Sequence, residues 1–216
     1  GIVSTARITH ATPAGSYAHA ANRNWEDSAS LPPEAKAAGC KDIAQQLLDT
    51  PHGDGPDVIL GGGRAHFLPD SVVDPEHSKK TGKRDDGRNL IEQWLQSRSG
   101  REYVWNRQDF LALSERRAKG EGSNGQVMGL FEPSHMQFEA DRANDPAGEP
   151  SLLEMTQFAL AEMQKADQGY FLLIEAGRID HAHHGSNAYR ALVDTVALSE
   201  AVQWVTDHVD LSDTLI

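Results

Sequence analysis

At 216 residues with 38% hydrophobic side chains, the chain is long enough to enclose a sizeable core, as one α/β domain or as part of a larger one. A formal charge of -12 argues against nucleic acid or an anionic membrane surface as partner, since both are held by net positive charge; an anionic small substrate stays compatible where metal ions reverse the local sign. Cys40 is the only cysteine and closes no disulfide within the chain, and no apolar run approaches the roughly 18 residues of a membrane span.

Val3 to Ile8 is a β-favouring run that enters the polar turn Thr9-His10-Ala11-Thr12-Pro13-Ala14-Gly15-Ser16-Tyr17, a place where functional groups commonly sit. From Pro33 to Leu48 the pattern predicts one amphipathic helix, with Ala37, Ile43, Ala44, Leu47 and Leu48 near helical spacing. Asp57-Val58-Ile59-Leu60 predicts a short buried strand, closed by Gly61-Gly62-Gly63-Arg64. That triple glycine lacks both GxGxxG spacing and a following Lys-Ser/Thr pair, so it reads as a turn and not as a phosphate loop. Two polar excursions, about residues 66–89 and 132–150, are expected to be loops, the first of them on the surface. Between them, Leu90 to Leu95 and Asp109 to Arg117 read as helices, and Tyr103-Val104-Trp105 and Val127 to Phe131 as strands.

Ser151-Leu152-Leu153-Glu154 fits a capping box, opening a helix to about Lys165. Tyr170-Phe171-Leu172-Leu173-Ile174, bounded by Gly169 and Gly177, reads as a buried strand that delivers Glu175 to its carboxyl end. A long helix from Asn187 to about His208 follows. Strands alternating with helices predict an α/β fold, a doubly wound and mostly parallel sheet with helices on both faces. Both chain ends are β-favouring and read as cut part-way through strands, and the start has no signal-peptide pattern.

Glu175, Asp180, His181, His183 and His184 form the densest group of potential metal ligands. Asp180 and His184 stand one helical turn apart, so a carboxylate oxygen and an imidazole nitrogen would share one side, a donor pair that suits zinc. A carboxylate alone at a strand end, like Glu175, better suits magnesium. The competing reading is a solvated, histidine-rich turn in which Asp180 is a cap. Thr12 offers a hydroxyl to magnesium, and Arg23 offers the planar fork that grips phosphate, although a lone arginine in a polar segment is usually a solvated surface residue. His19, His52, His66, His77, His135 and His208 lie in polar loops or near helix ends and are read as structural or surface residues.

Taken together, Thr9 through His19, Asn22-Arg23-Asn24-Trp25, Val58 through Arg64, Tyr103-Val104-Trp105-Asn106, Gly129 through Pro133, and Glu175 through His184 with Ala188-Tyr189-Arg190-Ala191-Leu192 resemble the alkaline phosphatases, closer to the animal type than to the enteric bacterial form. The resemblance implies that residues 1–216 are the central part of a single α/β domain of a metal-dependent phosphomonoesterase working through a phosphoserine. It implies zinc on Asp180 and His184, magnesium on Glu175 and Thr12, phosphate on Arg23, and His10 and His181 around the metal water and phosphate. It further implies calcium on Glu76, the Phe131 carbonyl, Glu132 and, where the spacing departs from the family's, Glu149. Thr12 stands where animal enzymes have serine.

The family's attacking serine belongs to an Asp-Ser-Ala motif near the start of the protein, and an upstream Asp, a late Asp-His pair and a further late His complete its zinc sites; the chain reads as lacking all of these. The partner that Cys40 usually takes would likewise lie upstream. The chain by itself is therefore expected to be inactive, with a homodimer as the intact enzyme and a periplasmic, extracellular or cell-surface location implied by resemblance. Two other readings are a non-catalytic metal-binding or structural fragment, and a related metal-dependent phosphodiesterase or sulfatase.

Overall fold

Alternate residues of the central strands enter two different cores, and this period of two is what makes the sheet. In the computed structural model, which describes residues 1–50 and 53–216, the strands are β1 (Ile2–Arg7), β2 (Val58–Gly62), β3 (Glu102–Val104), β4 (Val127–Leu130) and β5 (Leu173–Glu175). All pairings are parallel, in the order β3-β4-β2-β1-β5. Val3, Val58, Leu60 and Val127 pack with Leu152, Met155, Phe158 and Ala201 on one face. Ile2, Ile59 and Met128 pack with Ala44, Leu47, Leu90, Ile91 and Trp94 on the other. The doubly wound sheet expected from the sequence is present.

Around the sheet lie α1 (Ala11–Gly15), α2 (Pro33–Ala37), α3 (Ile43–Leu48), α4 (Leu90–Ser97), α5 (Arg107–Ala118), α6 (Leu152–Met163), α7 (Arg178–His184) and α8 (Ala188–His208). The capping box at Ser151 and Glu154 is formed as predicted. The single helix expected over 33–48 is two helices. Gly39 takes a φ of +75°, which stops α2, and Asp42 accepts from the Gln45 N–H to start α3.

The stretch 66–89 carries no β-strand or α-helix and much of it is exposed, as its polarity predicts, but it is anchored through the interior. Arg84 within it is fully buried, with Nη1 and Nη2 donating to Asp42 Oδ1 and Oδ2 at 3.0 and 2.9 Å. A bidentate pair of this kind lets a charged segment cross the interior. Of the run 170–174 only Leu173 and Ile174 lie in a strand, β5, which pairs with β1 among the described residues, while Tyr170, Leu172 and Ile174 pack against the core. After Asp210 the β-favouring end forms a turn and no strand.

Of the three glycines expected to form a turn, Gly61 and Gly62 belong to β2 and only Gly63, at a φ of +100°, lies beyond it. A Cβ on Gly62 would sit 2.2 Å from the Ser134 carbonyl oxygen, so only glycine lets the segment after β4 lie against β2. The Gly63 N–H donates to the Glu132 and Ser134 carbonyls, leaving no free amide for a phosphate. Residue 135 is thereby held at the carboxyl end of the sheet, where open α/β sheets carry their sites.

Candidate metal and phosphate site

His10 is the N-cap of α1, directly after β1, but its side chain makes no capping bond. Its imidazole is free to turn to Arg23, whose Nη2 lies 3.2 Å from His10 Nε2. Thr12 is exposed in the first turn of α1, and α1 packs against β5, which ends on Glu175. Ser4 of β1, opposite Glu175 in the ladder, donates its hydroxyl to Glu175 Oε2 at 2.6 Å. Gly177 leaves room for that carboxylate, since a Cβ there would meet Ala6 Cβ at 2.8 Å and Glu175 Oε2 at 3.2 Å. The polar stretch after β5 is itself helical: α7 sets Asp180 Oδ2 3.4 Å from His184 Nε2, both largely exposed. Their donor chemistry and spacing fit a zinc ion; Glu175 and Thr12, oxygen donors on neighbouring elements, fit magnesium.

His181, on the same helix, faces back toward His10, with ring centroids 5.4 Å apart. His135, expected to lack close metal-ligand partners, has two. Its ring centroid lies 4.0 Å from that of His181 and 5.0 Å from that of His10. Burial, and then the positive charge of Arg7, pushes His135 down to about 2; burial and then Arg178 push His181 down to about 4, and burial lowers His10. The three rings are neutral at pH 7. The signal that finds His135 is its position just past a strand end, which the histidine-rich stretch after β5 outweighed.

A second group gathers on the loops after β2 and β4. Carboxylate oxygens of Glu76, Glu132 and Asp145 lie within 4.8 Å of one another. Asp145 was not among the expected ligands. Glu149, which was, accepts from the Gln137 N–H through Oε1 while its other oxygen is buried without a partner. Burial first, then Glu132 and Asp145, push Glu149 up to about 9; burial also raises Glu76 and Asp145. Neither oxygen of Asp145 is reached by a donor outside this acid group. Clustered carboxylates that repel one another, with both Asp145 oxygens and Glu149 Oε2 left without donors, fit a hard cation such as calcium. Phe131 precedes Glu132, its side chain buried in the core. His77, expected to have no close partner, lies 3.5 Å from Glu132 Oε2 and 3.7 Å from Glu76 Oε2.

A family model described as alkaline phosphatase matches residues 1–216. The chain belongs to the alkaline phosphatase family. It is 42% identical over 221 residues to the membrane-bound alkaline phosphatase of Bombyx mori, covering all of this chain and 38% of that protein. The structure of Thermus thermophilus alkaline phosphatase matches at a TM-score of 0.72 and 30% identity, over 97% of this chain and 36% of that one. A mutant of the alkaline phosphatase of the Antarctic bacterium TAB5, with Mg bound in its M3 site, shares the fold at a TM-score of 0.64 and 22% identity, over 96% of this chain and 47% of that one. The chain thus spans about two-fifths of the length of its curated relative. The alkaline phosphatase family is metal-dependent and acts on phosphate monoesters.

One tripeptide of this alkaline phosphatase chain spells the family's nucleophile motif in the wrong place. Asp27-Ser28-Ala29 follows the Arg23 block instead of preceding Thr9, and the sequence reading passed over it. Ser28 is 5% exposed, and its Oγ accepts from the Asp85 N–H at 3.0 Å, while Asp27 Oδ2 pairs with His66 Nδ1 at 2.7 Å. A serine so enclosed is structural. His66 and His208 are structural as expected, the latter stacked on Trp204, and His19 is on the surface; His52 lies outside the described residues.

Proposed function

We propose that the protein to which this chain belongs is a metal-dependent phosphomonoester hydrolase, an alkaline phosphatase working through a phosphoserine supplied by another part of the protein. The observation that carries the reading is the convergence at one sheet end: the Arg23 guanidinium against His10, with His181 5.4 Å from His10 and one residue from Asp180. Arg23 exchanges its contact with His10 for two parallel N–H bonds to the phosphoryl oxygens. His10 and His181, neutral at working pH, line the phosphate side without adding charge. Glu175, fixed by Ser4, presents one carboxylate oxygen in constant geometry.

Asp180 and His184 would hold one zinc ion, Glu175 and Thr12 magnesium, and Glu76, the Phe131 carbonyl and Glu132 calcium, with Asp145 and Glu149 completing the acid group. When bound, the ions at the sheet end would neutralise charge on the transferring group and lower the pKa of the attacking oxygen. In the two in-line displacements the serine oxygen bonds phosphorus as the alcohol leaves, and water then releases inorganic phosphate and restores the serine. A homodimer, and a location outside the cytoplasm, follow the same reading. The 216 residues alone give no turnover.

The test is hydrolysis of p-nitrophenyl phosphate by the intact protein. Activity lost to a chelator, regained with Zn2+ and Mg2+, and absent from Asp180→Ala supports the proposal. Undiminished turnover in Asp180→Ala overturns the site assignment.

A further inference from the structure

Three imidazoles meet where the loops after β1, β4 and β5 come together, and the phosphatase reading gives a role to only two of them. The nitrogens of His10, His135 and His181 lie within 4.8 Å of one another, and each ring is only partly exposed. We propose that His10, His135 and His181 form a binding site for one transition-metal ion of the Zn2+ or Co2+ kind, separate from the Asp180/His184 and Glu175/Thr12 positions.

The donor set selects the ion. Three neutral imidazoles with no oxygen donor suit zinc, cobalt, nickel or copper, and are poor ligands for magnesium or calcium, which take oxygen. Tetrahedral ligation at about 2.0–2.1 Å from zinc places donor nitrogens roughly 3.4 Å apart, so the rings converge by little more than an ångström. Three ligands leave a fourth position for water or an anion.

The arginines around the cluster supply a second reason. Arg7 approaches both nitrogens of His135, its backbone N–H reaching Nδ1 at 3.2 Å and its Nη1 reaching Nε2. A neutral imidazole accepts at one nitrogen only, so one of these contacts sets donor against donor. Turning the ring toward His10 and His181 relieves the conflict and presents a lone pair to a cation. Two of the three arginines have an acid beside them, which offsets part of their repulsion of that cation; Arg23, 3.2 Å from His10 Nε2, is offset only by an anion at the fourth position. Arg7 is forked onto Glu26 at 2.8 and 2.7 Å, and Asp194 faces Arg178. His135 reaches this place only because Gly62 admits the Ser134 carbonyl.

The inference does not depend on phosphatase activity and is tested without it. The metal-stripped intact protein is titrated with Co2+ alone, following visible absorption and bound metal. The expected result is one tightly bound equivalent fewer in His135→Ala and His135→Gln than in the unsubstituted protein. That equivalent persists in Asp180→Ala and resists excess Mg2+. In the unsubstituted protein Co2+ shields His135 from carbethoxylation by diethyl pyrocarbonate, read by peptide mass, which decides the matter even if both variants misfold. Equal stoichiometry in a folded His135 variant, loss of the same equivalent in Asp180→Ala, displacement by Mg2+, or an unshielded His135 each overturns the site.

Discussion

Arg23 shows how far one side chain's surroundings decide its role. Taken alone it is exposed and polar, like most surface arginines; its contact with His10 sets it apart. Replacing it by alanine is expected to lower kcat/KM for p-nitrophenyl phosphate by roughly 10²–10³-fold, the scale of losing one preorganised donor to a transition-state oxyanion. Lysine restores little, because a point charge lacks the fork. Glu149 makes a pH prediction. Its folded value of about 9 lies above the ordinary 4.5, so in calcium-free protein its contribution to stability is complete below about pH 4.5 and is lost as pH rises toward 9. Melting temperatures across that range should fall with pH, Glu149→Gln should flatten the fall, and Ca2+ should oppose it. A fall of equal steepness in Glu149→Gln contradicts the assignment.

Among the elements, the packing contacts of two loops matter more than their polarity. Arg84→Ala leaves Asp42 buried without its fork and is expected to cost about 3–5 kcal/mol in urea unfolding, as broken buried pairs do. A loss below 1 kcal/mol would contradict an anchoring role for Arg84 in the loop 66–89. Gly62→Ala drives a Cβ against the Ser134 carbonyl and is expected to destabilise by about 1–3 kcal/mol and to displace His135. The sequence made the sheet, the capping box and the long α8 legible, because each is local or periodic. It hid the break at Gly39, whose positive φ only the folded chain reveals. His135 and Asp145 stayed hidden for a related reason: their partners are distant in sequence, joined by the sheet and not by spacing.

The molecule as a whole carries a charge of -12 yet gathers Arg7, Arg23 and Arg178 with three histidines at one end of its sheet, while its acids collect at Glu76, Glu132, Asp145 and Glu149. The arginines of the first concentration suit an anionic phosphate, the acids of the second a hard cation, and both groups gather about loops after strands. Membership of the alkaline phosphatase family accounts for the fold. The central claim is that Asp180 and His184 hold zinc beside an Arg23-bound phosphate. Anomalous diffraction at the zinc edge, from crystals of the intact protein grown with Zn2+ and phosphate, tests it most directly. The account predicts a peak about 2.0–2.2 Å from the Asp180 carboxylate and the His184 imidazole, with phosphate on the Arg23 guanidinium. Zinc absent from that pair in active protein would contradict it.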